Sequence, residues 1–324
     1  MSIYRLFGKE LESFNKISLA IDTQSNYVDL PQTSPDAALL LYNKAISESR
    51  YGYLYQPGQI SIRDSMFGTT LYLKMCKESE GRISFFSRVD FEVADIVAAT
   101  RQFRNPYDKI LTVYQYYVDH FNYAQVSAAS DIKFHTVAAP FIYREAVCEG
   151  FAFSFAHIMN RIGIPCGIVA GESFLNGMNG SHAWNIIKID NYFYHLDVTW
   201  DICTKDKGKP VFDYFLLDDQ LVLRDHRWSD FSIPVCLDSS KEFYAYNQLI
   251  CHNEQELVEL LKRQLLARKH HIGFRYLGAD FANILNRESL TRIAQKTTSQ
   301  IPGVYGRLSF SCNADTGTVS YIFG

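Results

Sequence analysis

Residues 148–165 of the chain, CEGFAFSFAHIMNRIGIP, are the stretch that decides the fold. From Cys148 onward, apolar residues recur every three or four positions, which is the spacing of one buried helix face. These positions are Phe151, Phe155, Ile158, Met159 and Ile162. Gly163 suits the position just after a helix, and Pro165 cannot continue one. The stretch therefore predicts a helix that begins at Cys148.

A cysteine at the start of a helix can act as a nucleophile. The thiolate is the reactive form, and the unpaired N–H groups and dipole of a helix N-terminus favour a negative charge there. Glu149 opposes this effect because a neighbouring carboxylate disfavours a thiolate, so a cation has to help. The alternative is that Cys148 packs as a small buried hydrophobe, as most cysteines do.

A histidine beside two predicted strands downstream could supply that cation. The segments 183–189 and 192–198 flank Asp190-Asn191, a turn dipeptide. If residue 189 pairs with residue 192, then His182 and Asp197 are diagonal neighbours on one face of the hairpin. A carboxylate in that place would fix the imidazole tautomer and stabilise its cation. The pattern thus predicts a Cys148, His182 and Asp197 triad.

Two other side chains compete for these roles. His195 falls on the same face as Asp197 and is an alternative base, and Asp201 is an alternative carboxylate. Trp184 and Trp200 can either form walls of a cleft or pack as core.

Three segments of the chain resemble, in order and in spacing, the motifs of the bacterial transglutaminase-like superfamily. They are 146–152 (AVCEGFA) for the nucleophile, 180–185 (GSHAWN) for the histidine and 195–201 (HLDVTWD) for the aspartate. The resemblance covers about residues 101–232. It favours His182 over His195 and Asp197 over Asp201.

What the resemblance implies is an α+β fold with a papain-like transglutaminase core, in which the nucleophile helix packs on an antiparallel sheet. The catalytic residues would be Cys148, His182 and Asp197. The segment 135–141 (HTVAAPF) departs from the family pattern, and it is expected to shape the oxyanion site. The Cys148 N–H is the expected first oxyanion donor, and the second donor is not assigned.

The implied activity is acyl transfer at protein or peptide amide bonds through a thioester. Depending on the acceptor, the chain would be a cysteine protease or amidase, or a transglutaminase. The alternative from another class is a non-catalytic binding or assembly module with an unused triad. No cofactor and no metal are implied, since the chain contains no EF-hand pattern.

Composition limits partners and location. The net charge is −3 with no basic run, so a nucleic-acid partner is not expected. No segment reaches the roughly 18 apolar residues that span a bilayer, and Met1–Glu10 lacks the apolar region of a signal peptide, so the expected location is cytoplasmic. Seven widely spaced cysteines without a CxxC pair indicate reduced thiols and no structural zinc site.

Around the core, the sequence predicts an α+β region over 1–100 and an α+β appendage over 233–324, with the catalytic core at 101–232. Helices are expected at 34–50, from Pro106 onward, and at 254–266. Strands are expected at 69–73, 83–88, 307–311 and 318–323. The acidic residues Asp213, Asp218, Asp219 and Asp225 are interpreted as a solvated surface.

Overall fold

A computed structural model describes most of the chain. It covers residues 2–49, 51–55, 60–75, 82–125, 131–175, 178–205, 212–301, 308–313 and 316–323. Arg50, Cys76 and Arg307, on which sequence predictions bear, lie outside these residues. The chain forms two compact units, Met1–Thr204 with Leu217–Asp238 and Lys205–Leu216 with Ser239–Gly324. The boundaries predicted at residues 100 and 232 stay predictions.

Helices and strands alternate through the first unit. The helices are α1 (Gly8–Asp22), α2 (Pro35–Glu48), α3 (Arg82–Thr100), α4 (Pro106–His120), α5 (Ala139–Tyr143), α6 (Cys148–Arg161), α7 (Val198–Thr204) and α8 (Asp219–Val222). The strands are β1 (Tyr27–Pro31), β2 (Ser61–Ser65), β3 (Gly68–Tyr72), β4 (Asn122–Tyr123), β5 (Glu145–Ala146), β6 (Cys166–Leu175), β7 (Met178–Ile189), β8 (Tyr192–Leu196) and β9 (His226–Arg227).

Helix α6, which the sequence predicted to carry the nucleophile, packs on an antiparallel sheet, as predicted. The sheet has the strand order β8-β7-β6-β9, and α6 lies against its central strands β6 and β7. Helix α6 begins at Cys148, and Gly163 just beyond its end has a φ of 80°, a backbone conformation that glycine adopts without strain. The fold is therefore α+β with a papain-like core.

The amino-terminal part of this unit adds to the same hydrophobic core. Helices α1 and α2 pack on each other, and α2 also contacts α6 and β6. Apolar residues of the first two helices share a buried cluster with residues of α6, β6 and β7. Strands β1, β3 and β2 form a separate antiparallel sheet beside them. Residues 1–100 thus stabilise the sheet that carries the site.

Several predicted elements are confirmed. Ser34 and Asn105 accept hydrogen bonds from the backbone at the starts of α2 and α4, so both helices begin where the sequence placed them. The hairpin of β7 and β8 turns at Asp190, and Ile189 pairs with Tyr192, which is the predicted register.

Two predictions outside the hairpin were wrong. The segment 83–88, expected to be a strand, lies in helix α3, whose buried Val89, Val93 and Ile96 follow helical spacing beyond that short window. Asp213 and Asp225, expected on a solvated surface, are each 3% exposed and hydrogen-bonded. Strand β6, the main partner of β7, was not predicted at all.

The second unit is a smaller α+β body. Its helices are α9 (Phe243–Tyr246), α10 (Glu254–Leu266), α11 (Phe281–Ile284) and α12 (Arg287–Thr298). Its strands β10 (Ile250–Cys251), β11 (His271–Tyr276), β12 (Leu308–Asn313) and β13 (Thr318–Phe323) form a sheet of order β10-β11-β13-β12. Helix α10 has the predicted bounds. Among the described helices of both units, none is long and apolar enough to cross a membrane.

Candidate active site

Cys148 is the first residue of α6, and its surroundings favour a reactive thiol. The preceding residue, Val147, gives the helix no side-chain cap, so the first N–H groups are left for another anion. The Cys148 side chain is partly accessible, whereas the thiols of Cys166, Cys236 and Cys251 are buried. Its position at the helix start is thus confirmed, while its role as a nucleophile stays a prediction.

His182 lies between Cys148 and Asp197. Its Nε2 is 2.6 Å from Asp197 Oδ2, and its side chain also hydrogen-bonds the Cys148 thiol. Because Nε2 is taken by the carboxylate, Nδ1 is the ring nitrogen left for the sulfur. The structure therefore brings together the three residues that the sequence selected, in the order that an acid–base triad needs.

The aspartate reaches His182 from a helix start and not from a strand. Strand β8 ends at Leu196, so the expected continuation of the hairpin to residue 199 does not form. Asp197 Oδ1 accepts hydrogen bonds from the N–H groups of Thr199 at 2.9 Å and Trp200 at 3.3 Å. This cap of α7 fixes the carboxylate with Oδ2 directed at His182.

The charged forms of His182 and Asp197 stabilise each other. Burial by itself lowers the pKa of His182, but the charge and hydrogen bond of Asp197, together with Cys148, outweigh it and raise that pKa to about 10. Burial likewise raises the pKa of Asp197, yet His182 and His226 hold it well below its usual range. A protonated His182 beside an ionised Asp197 is thus the favoured state at neutral pH, and it stabilises a thiolate.

Glu149 has a histidine partner. Its Oε2 lies 2.7 Å from His135 Nδ1 at the partly exposed rim of the site. His135 belongs to the segment that departs from the family pattern, and sequence reasoning assigned it no charge-balancing role. A protonated His135 would remove most of the repulsion that Glu149 exerts on a thiolate at Cys148.

Tyr123 is a site residue that sequence reasoning missed. Burial raises the pKa of its phenol first, and the Cys148 thiol raises it further, while the Cys148 backbone N–H acts in the opposite direction. The phenol therefore lies against both the sulfur and the amide of Cys148. It is brought there by the pairing of β4 with β5, Tyr123 opposite Ala146. A contact between two such short strands leaves no periodic signal in a sequence.

The two competing residues have other partners. His195 is 1% exposed, accepts a hydrogen bond from Trp184 Nε1 at its Nδ1, and lies 3.0 Å from Asp219 through its Nε2. Asp201 is buried and accepts a hydrogen bond from the Tyr114 hydroxyl at 2.5 Å.

The tryptophans are core residues that also touch the site. Trp184 is 1% exposed and Trp200 is 6% exposed. The Trp184 ring stacks on His182 with centroids 5.9 Å apart, and the Trp200 ring lies at 5.8 Å. The core alternative thus holds for both residues, and their rings pack around the imidazole.

A second histidine binds the triad aspartate. His226 Nε2 lies 3.1 Å from Asp197 Oδ2, and its Nδ1 lies 2.6 Å from Asp225 Oδ1. Strand β9 brings it there by pairing His226 with Ser173 of β6. Since β6 itself was not predicted, no sequence signal connected His226 with Asp197.

Comparisons with known proteins identify one family. Residues 95–198 match the family model of the transglutaminase-like superfamily. No curated protein sequence matches the chain.

Solved structures give distant similarities. One is a TGase with 15% identity and a TM-score of 0.33, and the match covers 62% of this chain and 51% of the TGase. Another is a candidate cysteine protease from Cytophaga hutchinsonii with 16% identity and a TM-score of 0.30, and the match covers 44% of this chain and 61% of that one. A third is the periplasmic domain of TgpA from Pseudomonas aeruginosa, with 18% identity and a TM-score of 0.28, and the match covers 42% of this chain and 56% of that one. The chain thus spans about half to three fifths of these proteins, and they are too distant to add to the family match. Residues 95–198, which carry Cys148, His182 and Asp197, belong to the transglutaminase-like superfamily.

Proposed function

We propose that the chain is a cysteine-nucleophile acyl-transfer enzyme that acts on protein or peptide amide bonds through a thioester. Cys148 is the nucleophile, His182 is the general base and acid, and Asp197 orients His182. The observation that carries the proposal is the position of His182, which hydrogen-bonds a partly accessible thiol at an uncapped helix start and a fully anchored carboxylate.

The first half of the reaction forms the thioester. Since Asp197 accepts the Nε2–H, Nδ1 of His182 faces the thiol and takes its proton, which forms the pair of thiolate and imidazolium that is favoured at neutral pH. The thiolate attacks the carboxamide carbon and forms a C–S bond. Protonated His182 then gives its proton to the nitrogen, the C–N bond breaks, and an amine or ammonia leaves.

The second half releases the acyl group. His182 takes a proton from water or from an amine, which attacks the thioester carbon, and the C–S bond breaks to restore Cys148. Because the pKa of His182 is raised to about 10, its imidazolium persists through neutral pH and is lost only as the pH rises through that value.

The oxyanion of both steps needs two donors. The Cys148 N–H is one of them, and its contact with the Tyr123 phenol supports Tyr123 as the other. In the free protein the phenol lies against the Cys148 N–H. A bound substrate oxygen would take that place on the amide, and the hydroxyl would donate to it from the side.

We favour water over an amine as the acceptor. A lysine stem needs an apolar groove that excludes water. Trp184 and Trp200 are buried around His182 and offer little surface to such a groove. Of the three aromatic residues that could line it, Phe174 is the one partly exposed, and Arg227 lies over its ring with a separation of 5.8 Å.

The test is incubation with a glutamine-containing protein and a tagged primary amine, with the Cys148→Ala variant as control. Tag incorporation, ammonia release and peptide cleavage are measured together. Cleavage or deamidation that ignores the amine and disappears in the variant supports hydrolysis, whereas tag incorporation well above hydrolysis identifies a transglutaminase. If none occurs, and Cys148→Ala leaves the cellular phenotype intact, the binding-module alternative replaces this proposal.

A further inference from the structure

His226 is completely buried between two carboxylates. Its Nε2 binds the same Asp197 oxygen that binds His182, and its Nδ1 binds Asp225. The four side chains form a continuous chain, His182–Asp197–His226–Asp225, which we term the carboxylate relay. It extends the proposed triad away from the cysteine and into the protein interior.

The geometry fixes the protonation of His226. A neutral imidazole has one N–H, so one of its two short contacts would then place a nitrogen lone pair against a carboxylate oxygen. Only the imidazolium donates to both Asp197 and Asp225. Burial lowers the pKa of His226, but the hydrogen bonds and charges of both carboxylates outweigh it and raise that pKa.

We propose that His226 is a buried cationic positioning residue that holds Asp197 against His182 and limits how strongly His182 retains its proton. This inference rests on the proposed function of the triad. Asp197 shares one oxygen between two imidazole rings whose centroids are 5.4 Å apart. A positive charge at that separation disfavours a second one on His182.

Within the described residues, the titratable groups that face His226 include two carboxylates and two imidazoles. Asp197 follows β8 and Asp225 precedes β9, while His182 faces it from β7. The charge of His226 also acts on His195 of β8. Burial lowers the pKa of His195 first, and the charge of His226 lowers it further. The aromatic rings packed on His226, those of Trp184 and Trp200, are neutral.

The consequence concerns the second half of the reaction. His182 must be an imidazole with a free lone pair to activate the acceptor. With Asp197 alone as its partner, it would hold its proton more tightly and deacylation would slow. The His226 cation offsets part of that attraction without breaking the His182–Asp197 bond.

The first experiment measures protonation directly, by NMR of protein labelled with ¹⁵N-histidine and assigned with single His→Gln variants. Both ring nitrogens of His226 are expected to be protonated at pH 7. A neutral His226 at that pH would overturn the inference. This result does not depend on catalysis.

The second experiment removes the charge but keeps a donor, with His226→Gln. The titration of His182 is expected to move upward by about one pH unit, and kcat at neutral pH to fall several-fold with little change in the alkylation rate of Cys148. The matched control is His157→Gln, since His157 is also buried and burial lowers its pKa to about 3, so it is neutral. An unchanged His182 titration in folded His226→Gln would refute the inference.

A third variant covers the case in which His226→Gln does not fold. Asp225→Asn removes one of the carboxylates that stabilise the cation, so His226 should titrate at a lower pH than in the unaltered protein. No shift in its titration would contradict the carboxylate relay. If instead the unaltered protein shows a protonated His226 but no activity that depends on Cys148, the proposed function fails and the relay stands.

Discussion

Two sets of cysteine, histidine and aspartate lie in the first unit, and they behave in opposite ways. Cys148, His182 and Asp197 form the candidate site. Cys236, His195 and Asp219 lie with their ligand atoms within 4.8 Å of one another. In the first set the pKa of His182 is raised to about 10, whereas in the second, burial lowers the pKa of His195.

The difference lies in access and in hydrogen bonding. Cys236 is 1% exposed, and burial raises the pKa of its thiol, with Asp219 adding to the effect. Trp184 donates to His195 Nδ1, so the proton of neutral His195 is on Nε2 and directed at Asp219. This tautomer has no lone pair at Nε2 for a thiol or a metal ion. Of the two sets, we therefore expect a reactive thiol only in the one at the partly open helix start.

The largest expected contrast is between the two cysteines. Cys148→Ala should reduce turnover by a factor on the order of 10⁶, the scale seen when a nucleophile is removed from another triad. Cys236→Ala should leave turnover of the folded protein unchanged and cost about 1–2 kcal/mol of unfolding free energy through lost packing. Turnover assays with urea unfolding curves measure both. An equal loss of turnover in folded Cys236→Ala would erase the distinction.

The two carboxylates should differ almost as much. Asp197→Asn should lower kcat by about 10⁴-fold, because an amide no longer fixes the His182 tautomer or stabilises its cation. Asp219→Asn, the matched change beside His195, should leave kcat nearly unaltered. Steady-state kinetics of both variants provides the comparison, and His195→Gln tests it further. If His195→Gln impaired catalysis as strongly as His182→Gln without unfolding, His195 would be the base.

Thiol reactivity should separate the two cysteines without any substrate. Alkylation by iodoacetamide at pH 7, followed by peptide mapping, should label Cys148 at least about 10²-fold faster than Cys236, since the thiolate is the reacting form. Cys148 should also be labelled ahead of every other cysteine. Preferential labelling of Cys76, Cys166 or Cys312 would contradict its assignment as the nucleophile.

Tyr123 is a further difference between the set with Cys148 and the set with Cys236, since its phenol contacts Cys148. Tyr123→Phe should lower kcat by about 10²-fold with a smaller effect on KM, as expected for the loss of one oxyanion donor. Tyr192→Phe, on the exposed hairpin, is the control. A faster Tyr123→Phe variant would mean that the phenol blocks the Cys148 amide and does not assist catalysis.

The smallest effect concerns the rim of the site. His135→Gln leaves Glu149 uncompensated beside Cys148, and the alkylation rate at pH 7 should fall about threefold to fivefold, the range of a partly exposed ion pair. Adding Glu149→Gln should restore the rate, because the repelling charge is then gone. If the double variant stayed as slow as the single one, the role of His135 would be structural.

Local patterns allowed much of the core to be predicted. The 3–4 spacing after Cys148 defined α6 and its start, and the turn at Asp190 defined the register of the hairpin, because helix periodicity and turn chemistry depend on neighbouring residues. Predictions from short segments were wrong where the segment held too few helical turns to show the helical period. Residues 83–88 resembled a strand because the helical period of α3 emerges only over a longer stretch.

By itself, the sequence determined which cysteine, histidine and aspartate belong together, since three ordered motifs with fixed spacing select them. Only the tertiary structure decided what surrounds them. The position of the Tyr123 phenol, the contact of His135 with Glu149 and the position of His226 between two carboxylates depend on segments that are distant in the chain. Such contacts arise when the whole sheet and its helices pack together, and no local pattern of residues encodes them.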